Sequence, residues 1–299
     1  MSANGKPQYQ FTADPATQAS WAAPTRQQPS NMRGLIRSGK VLMGQVLSYP
    51  SRHVAKTLAA AGGDWIWIDT EHVAWSQKAL VEAIQIIIHE SGGRMVPIVR
   101  VPSKTAFDYM TWCLDAGAGG LIVPHIETVE EVMAVAGACR FPPTGHRSFP
   151  PFTFIPGLTD ITPEGKTVYT LANEHIAIIP QVESRVGIAN IDAIMQMDEV
   201  DAVMIGAGDL RLEMGLPLGF VGQEPEFVAA IERATAMSKK YGKYLMGAAL
   251  GPAMVEERLR QGFTLLITTI DLYTLAGGTV RDLMTARATV EELMSKQGA

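Results

Sequence analysis

An α/β fold, a single closed (β/α)8 barrel, is what the sequence predicts, and three observations predict it. Short apolar runs of strand type alternate with longer stretches of helical period. The runs number eight within 299 residues, as such a barrel requires. They are apolar nearly throughout rather than at every second position, so both faces are buried, as in a parallel sheet covered by helices. The rival, a doubly wound open sheet, would carry a glycine-rich turn after its first strand, and Tyr49-Pro50-Ser51 is not one.

Taken in order, residues 1–30 are rich in Pro, Gln, Ser, Thr and Ala and lack periodic apolar positions. They read as an N-terminal tail, disordered or packed loosely on the surface or a partner subunit. The barrel is expected over 31–299, beginning near Asn31. Its strands are expected at Val41–Ser48, Trp65–Asp69, Met95–Val101, Gly120–Pro124, Ile176–Glu183, Ala202–Ile205, Tyr244–Ala249 and Leu265–Ile270. Helical period marks Ser76–Glu90, Lys104–Ala116, Val129–Cys139, Ile188–Met197, Pro225–Tyr241, Ala253–Gln261 and Thr279–Ser295. One segment, 141–173, breaks the rhythm with six prolines, four phenylalanines and little periodicity. A loop this long is normally functional. Following the fourth strand, it is expected at the C-terminal mouth of the barrel as an active-site insertion, a lid or substrate wall.

Net charge is -5, and no basic stripe is present to displace counterions from phosphates, so a nucleic-acid partner is not expected. No basic-then-apolar leader opens the chain, and nothing approaches the roughly 18 uninterrupted apolar residues of a membrane span. Cys113 and Cys139 lie in apolar helical stretches and read as inert buried thiols. Together these imply no membrane partner, a reducing compartment and a cytoplasmic location.

In a barrel the chemistry sits where strands end and the following loops begin. Asp69, Glu71 and His72 follow the second strand, Arg100 ends the third, and His125 follows the fourth. Gln181 and Glu183 end the fifth, and Asp209 follows the sixth. Glu183 and Asp209, on neighbouring strands, suit a hard cation such as Mg²⁺ or Mn²⁺; the plainer reading is that one of them caps a helix. Gln181, two residues before Glu183, shares its face and needs a polar partner, whether substrate, water or a neighbour. Arg100 ends an otherwise apolar strand and needs an anion, either substrate or Asp69. Asp69 with His72 offers a carboxylate–imidazole pair for proton transfer, against a lone surface histidine. The small residues of Gly206-Ala207-Gly208-Asp209 let backbone N–H groups approach an anion, or merely ease packing. His53, His89 and His175 lie away from the strand ends. No Walker loop, cysteine metal spacing or G-x-S-x-G elbow is present.

The run Trp65-Ile66-Trp67-Ile68-Asp69-Thr70-Glu71-His72 resembles the WxxIDxEH signature of the HpcH/HpaI class II pyruvate aldolases, in the phosphoenolpyruvate/pyruvate barrel superfamily. The likeness continues through Val99-Arg100-Val101-Pro102, Asp115–Gly120 with Leu121–His125, and Pro142–Ser148. It resumes at Pro180–Ser184 and Gly206–Leu210, so it spans nearly the whole chain. Arg147-Ser148-Phe149, Phe152-Thr153-Phe154 and the tail are most similar to fungal members that condense oxaloacetate with a 2-pyrone. The resemblance implies Mg²⁺ (or Mn²⁺) on Glu183 and Asp209, chelated by a small-molecule 2-keto acid. It implies Arg100 as stabiliser of the enolate oxygen and Asp69 with His72 as an acid–base dyad. Gln181 would contact the keto acid, with Gly208, Trp67 and Tyr169 as further substrate-binding residues. A homo-oligomer, a hexamer exchanging a terminal helix, is implied as well.

The expected function is thus a metal-dependent carbon–carbon lyase forming pyruvate enolate. The reactions would be oxaloacetate decarboxylation, aldol chemistry on 4-hydroxy-2-keto acids, or both. The departure Gly206-Ala207-Gly208-Asp209, where the family has Gly-Pro-(Ala/Gly)-Asp, loosens the expected anion site. The alternatives are pyrone annulation, an acyl-CoA lyase of the citrate-lyase β type, and an inactive barrel serving as a binding subunit.

Overall fold

A computed structural model of the chain describes residues 30–150 and 162–297, so most of the expected tail and residues 151–161 lie outside the described residues. In chain order the elements are α1 (Met32–Arg37), β1 (Leu42–Leu47), α2 (Arg52–Ala61), β2 (Trp65–Asp69), α3 (Gln77–Glu90), β3 (Val96–Arg100) and α4 (Phe107–Asp115). Then come β4 (Gly120–Val123), α5 (Val129–Cys139), α6 (Val168–His175), β5 (Ala177–Val182), α7 (Arg185–Gln196), β6 (Ala202–Ile205) and α8 (Ala207–Glu213). Last are α9 (Pro225–Tyr241), β7 (Tyr244–Ala248), α10 (Pro252–Gln261), β8 (Leu265–Ile270) and α11 (Asp271–Gln297). The eight strands pair in parallel, in sequence order, and β8 closes on β1.

Although these strands are buried almost end to end, the two-residue side-chain period still sorts them. Trp65 and Trp67 of β2, Val96 and Ile98 of β3, and Ala177 and Ile179 of β5 join one cluster inside the barrel. Ile66, Ile68, Val99, Ile178 and Val182 join the larger cluster under the helices. Continuing the inward series by two residues reaches Asp69, Arg100 and Gln181, so the polar end of each strand opens on the same mouth. Close packing inside the barrel leaves no room for a Cβ at Gly44, which would run into the Trp65 indole.

Helix starts are chemically marked. The side chains of Ser51, Ser76, Thr128, Thr167 and Ser184 each accept from the backbone N–H three residues on. Such caps contribute about 1 kcal/mol apiece. Helices α1, α2, α6 and α8 were not marked in the sequence; α1, α6 and α8 run to eight residues or fewer. Both cysteines are buried and unpaired. Burial pushes both thiols up, Cys139 to about 11. No helix among the described residues is long and apolar enough to cross a membrane.

The insertion requires a correction. It falls between β4 and β5 as expected, but it begins after α5, which runs back toward the strand N-termini, so it leaves from the end of the barrel opposite the mouth. Its described ends are tied together there. The Phe141 N–H donates to Asn173 Oδ1 (2.8 Å), the Asn173 amide donates to Phe141 O (3.0 Å), and the Arg147 N–H donates to Arg140 O (2.8 Å). Arg140 Nη1 donates to Ile176 O, just ahead of β5 (2.8 Å). The C-terminal part of the expected loop is helix α6.

Candidate active site

At the C-terminal ends of the strands lies a cavity of about 350 Å³. Its polar side carries Asp69, His72, Arg100, Gln181 and Asp209, and Gly206, Gly208 and Trp67 also line it.

Arg100 organises the floor. Register places it beside Asp69 on the neighbouring strand, and its Nε and Nη2 each donate to one Asp69 oxygen at 2.8 Å. The guanidinium also lies 4.5 Å over the Trp67 ring. With both residues buried, this bidentate pair satisfies a charge that would otherwise be costly to hold out of water. Nη1 is left over. It stands 3.0 Å from Glu71 Oε2 and 3.5 Å from Gln181 Oε1, the latter at the outer limit of a hydrogen bond.

No ion pair joins Asp69 to His72 among the described residues. Both Asp69 oxygens are engaged by Arg100, and the carboxylate near His72 is Glu71, at 3.7 Å from Nε2. The His72 side chain is 68% exposed at the mouth. Glu71 is held above the ordinary carboxylate range because burial outweighs the pull of Arg100 and His72. Its Oε2 is buried without an aligned hydrogen-bond donor.

Behind Gln181, whose Nε2 donates to Glu183 Oε2, the His125 N–H donates to Glu183 Oε1 (2.9 Å). His125 does this from a left-handed backbone, φ 51°. Burial raises the Glu183 carboxyl above its usual range; the Gln181 and His125 bonds oppose that rise, and the negative charge of Asp209 adds to it. A Cβ at Gly206 would run into the Glu183 carboxylate, so that position has to lack one. Helix α7 is capped by Ser184 and α8 starts at Gly206 with no side-chain cap, so neither Glu183 nor Asp209 serves as a cap. Asp209 lies exposed in the first turn of α8.

Tyr169 does not line this cavity. Its ring packs edge-on to Phe141 (5.6 Å) and Phe149 (5.3 Å) in the anchored base of the insertion. Among the lining residues missed in the sequence are Phe220, from the loop between α8 and α9, and Leu272 and Tyr273, from the first turn of α11. The available signal was Leu216-Pro217-Leu218-Gly219-Phe220-Val221-Gly222, a non-periodic apolar stretch after a barrel strand.

The family model for HpcH/HpaI aldolase/citrate lyase matches residues 47–276. A 2-keto-3-deoxy-L-rhamnonate aldolase of Klebsiella pneumoniae is 32% identical over 248 residues, covering 82% of this chain and 88% of that protein. The enzyme of the same name from Salmonella paratyphi B is 30% identical over 245 residues, covering 81% and 88%. Among solved structures, macrophomate synthase superposes with a TM-score of 0.84 at 35% identity, covering 94% of this chain and 99% of its own. An HpcH/HpaI family protein from Burkholderia cenocepacia gives 0.75 at 28%, covering 86% and 98%. With a family model matched across most of the barrel and aldolases among its relatives, the chain belongs to the HpcH/HpaI aldolase/citrate lyase family and is a carbon–carbon lyase.

Proposed function

We propose that this lyase is divalent-metal-dependent and forms the enolate of pyruvate, by decarboxylating oxaloacetate, by aldol cleavage or addition of 4-hydroxy-2-keto acids, or by both. The observation that carries this reading is Arg100, a buried guanidinium locked to Asp69 by two 2.8 Å bonds in a mouth that Gln181 and Asp209 also line.

Glu183 and Asp209 suit a hard cation. They offer oxygen donors only, and Glu183 is 2% exposed. Among the described residues the basic side chain paired with it is the exposed His125 imidazole, at 3.8 Å. No cage of three or more His, Cys, Asp or Glu side chains stands among the described residues, so the protein's share would be this pair, Glu183 and Asp209. Mg²⁺ or Mn²⁺ bound there supplies neutralisation of charge on keto-acid oxygens.

Arg100 meets the negative charge that grows on the enolate oxygen, and Asp69 keeps the guanidinium aimed, so no reorganisation is needed as charge develops. Gln181 bridges Arg100 and Glu183 and orients both. In aldol cleavage His72 takes the C4 hydroxyl proton through a water, the C3–C4 bond breaks with its electrons passing into the pyruvate enolate, and an aldehyde leaves. Incubation with oxaloacetate and Mg²⁺, with and without EDTA, tests the proposal. Pyruvate release above background that EDTA abolishes is expected, and its absence sinks the reading.

A second reading, annulation of a 2-pyrone with oxaloacetate, is supported by the 35% identity to macrophomate synthase. The packing of Tyr169 away from the cavity weighs against it. A benzoate product from pyrone plus oxaloacetate would restore it.

We further propose that the protein acts in the cytoplasm as a homo-oligomer, a hexamer, in which α11 packs on another copy. Support comes from apolar side chains that α11 leaves uncovered, Leu283 at 53% and Met284 at 64% among them. A solution mass equal to the 32.3 kDa chain would count against assembly.

A further inference from the structure

Facing the charged side of the cavity is a wall with a different chemistry. Phe220, Ile267, Ile270, Leu272 and Tyr273 line it, apolar apart from the Tyr273 hydroxyl, and Ser48 beside them is already engaged. Its hydroxyl donates to Asp271 Oδ1 (2.5 Å) and its N–H to Asp271 Oδ2 (2.8 Å).

This wall is built rather than loose. Between α8 and α9, two buried arginines clamp the loop that carries Phe220. Arg211 holds Glu224 through two 2.7 Å bonds and donates Nε to Pro217 O (2.9 Å). A Cβ at Gly222 would collide with the same guanidinium. Arg258, 1% exposed, donates to Phe220 O and to Ala248 O (3.0 Å), which ties the loop to the end of β7. On the other flank, Asp271 fixes the first turn of α11 through the N–H groups of Ser48, Tyr49 (3.0 Å) and Leu272 (2.7 Å). Phe220 and Tyr273 are therefore presented to the cavity by fixed elements.

We propose that this wall is the acceptor subsite, and that it takes aldehydes bearing an apolar, ring-sized substituent in preference to polyhydroxylated ones. The inference rests on the enolate reading above and names the class of its second substrate. An acceptor whose carbonyl lies toward Arg100 and His72 must lay its tail against Phe220, Leu272 and Tyr273. Apolar tails gain from that burial. Each hydroxyl set there without a partner loses on the order of tenfold in binding.

The test is the selectivity ratio, kcat/KM for 3-phenylpropanal over kcat/KM for glyceraldehyde, in aldol addition with pyruvate and Mg²⁺. A ratio within one enzyme cancels the enzyme concentration, and comparing it between variants cancels the aldehydes' intrinsic reactivities. Phe220→Ala is expected to lower the ratio about tenfold, with Phe220→Leu retaining most of it. Tyr273→Ser, on the exposed start of α11, is expected to lower it as well and reads the subsite even if the loop variant fails to fold. Calorimetric binding of 3-phenylpropan-1-ol, weaker in Phe220→Ala than in the parent, gives a readout independent of turnover. Unchanged ratios in both variants, or equal binding of the alcohol, overturn the subsite. Oxaloacetate decarboxylation by the parent protein needs no acceptor: its loss indicts the enolate reading, whereas decarboxylation with unchanged ratios indicts the subsite alone.

Discussion

Arg100 illustrates how one side chain comes to depend on geometry rather than charge. Its planar fork fits the Asp69 carboxylate at two points and turns Nη1 toward Glu71 and Gln181. A lysine keeps the charge but cannot make both bonds. Arg100→Lys is expected to lower kcat for oxaloacetate decarboxylation by about 10²–10³, the loss typical of one oxyanion donor, with steady-state kinetics as the measurement. Glu71 carries a pH prediction. Its folded carboxyl lies above its ordinary value of 4.5 because burial disfavours the charged form. As pH rises past that value, the unfolded chain gives up its proton before the folded one does, so the group's cost to stability grows with pH. Glu71→Gln removes that cost, and Arg100 still has Asp69. The variant should gain in stability relative to the parent between pH 4 and pH 7 in urea unfolding; a difference independent of pH counts against it. All three residues were legible as strand-end polar groups. Their pairing was not, because Asp69 had two chemically reasonable partners, His72 in its own loop and Arg100 on the next strand.

Elements differ in how firmly they are tied. Helix α11 leaves the barrel directly from β8, and its first residue, Asp271, is a buried carboxylate accepting from Ser48 N, Ser48 Oγ, Tyr49 N and Leu272 N. Asp271→Ala strands those donors and should cost about 3 kcal/mol, measured by urea unfolding. It should also raise KM for the acceptor, since Leu272 and Tyr273 lose their anchor. The expected helix at Thr279–Ser295 was the C-terminal part of this longer one; its first turns at the mouth, Asp271 to Gly278, lack the period that marks the rest. The insertion was legible as an irregular segment, whereas its origin at the far end of the barrel was not. Proline content reveals irregularity but carries no direction.

The whole molecule exposes what a single barrel leaves unfinished. Leu275, Val280, Leu283, Met284, Val290, Leu293 and Met294 of α11 are all more than half exposed. Apolar surface gathered on one long helix marks an interaction site. Leu283→Glu with Met284→Glu is expected to shift the protein from oligomer to monomer in sedimentation velocity while leaving the barrel's unfolding transition within about 1 kcal/mol of the parent. An unchanged assembly would mean that the helix is not the contact.

The closed sheet and the polar set at its mouth were determined by the sequence alone, because a strand buried on both faces tolerates a charge only where it ends, and eight such ends meet in one place. Which acid holds Arg100, which one neighbours His72, and which distant loops bring Phe220 and Tyr273 opposite them were decided only by the tertiary structure. Those contacts follow from strand register and barrel closure, and residues tens to hundreds of positions apart become neighbours through them with no trace in local composition.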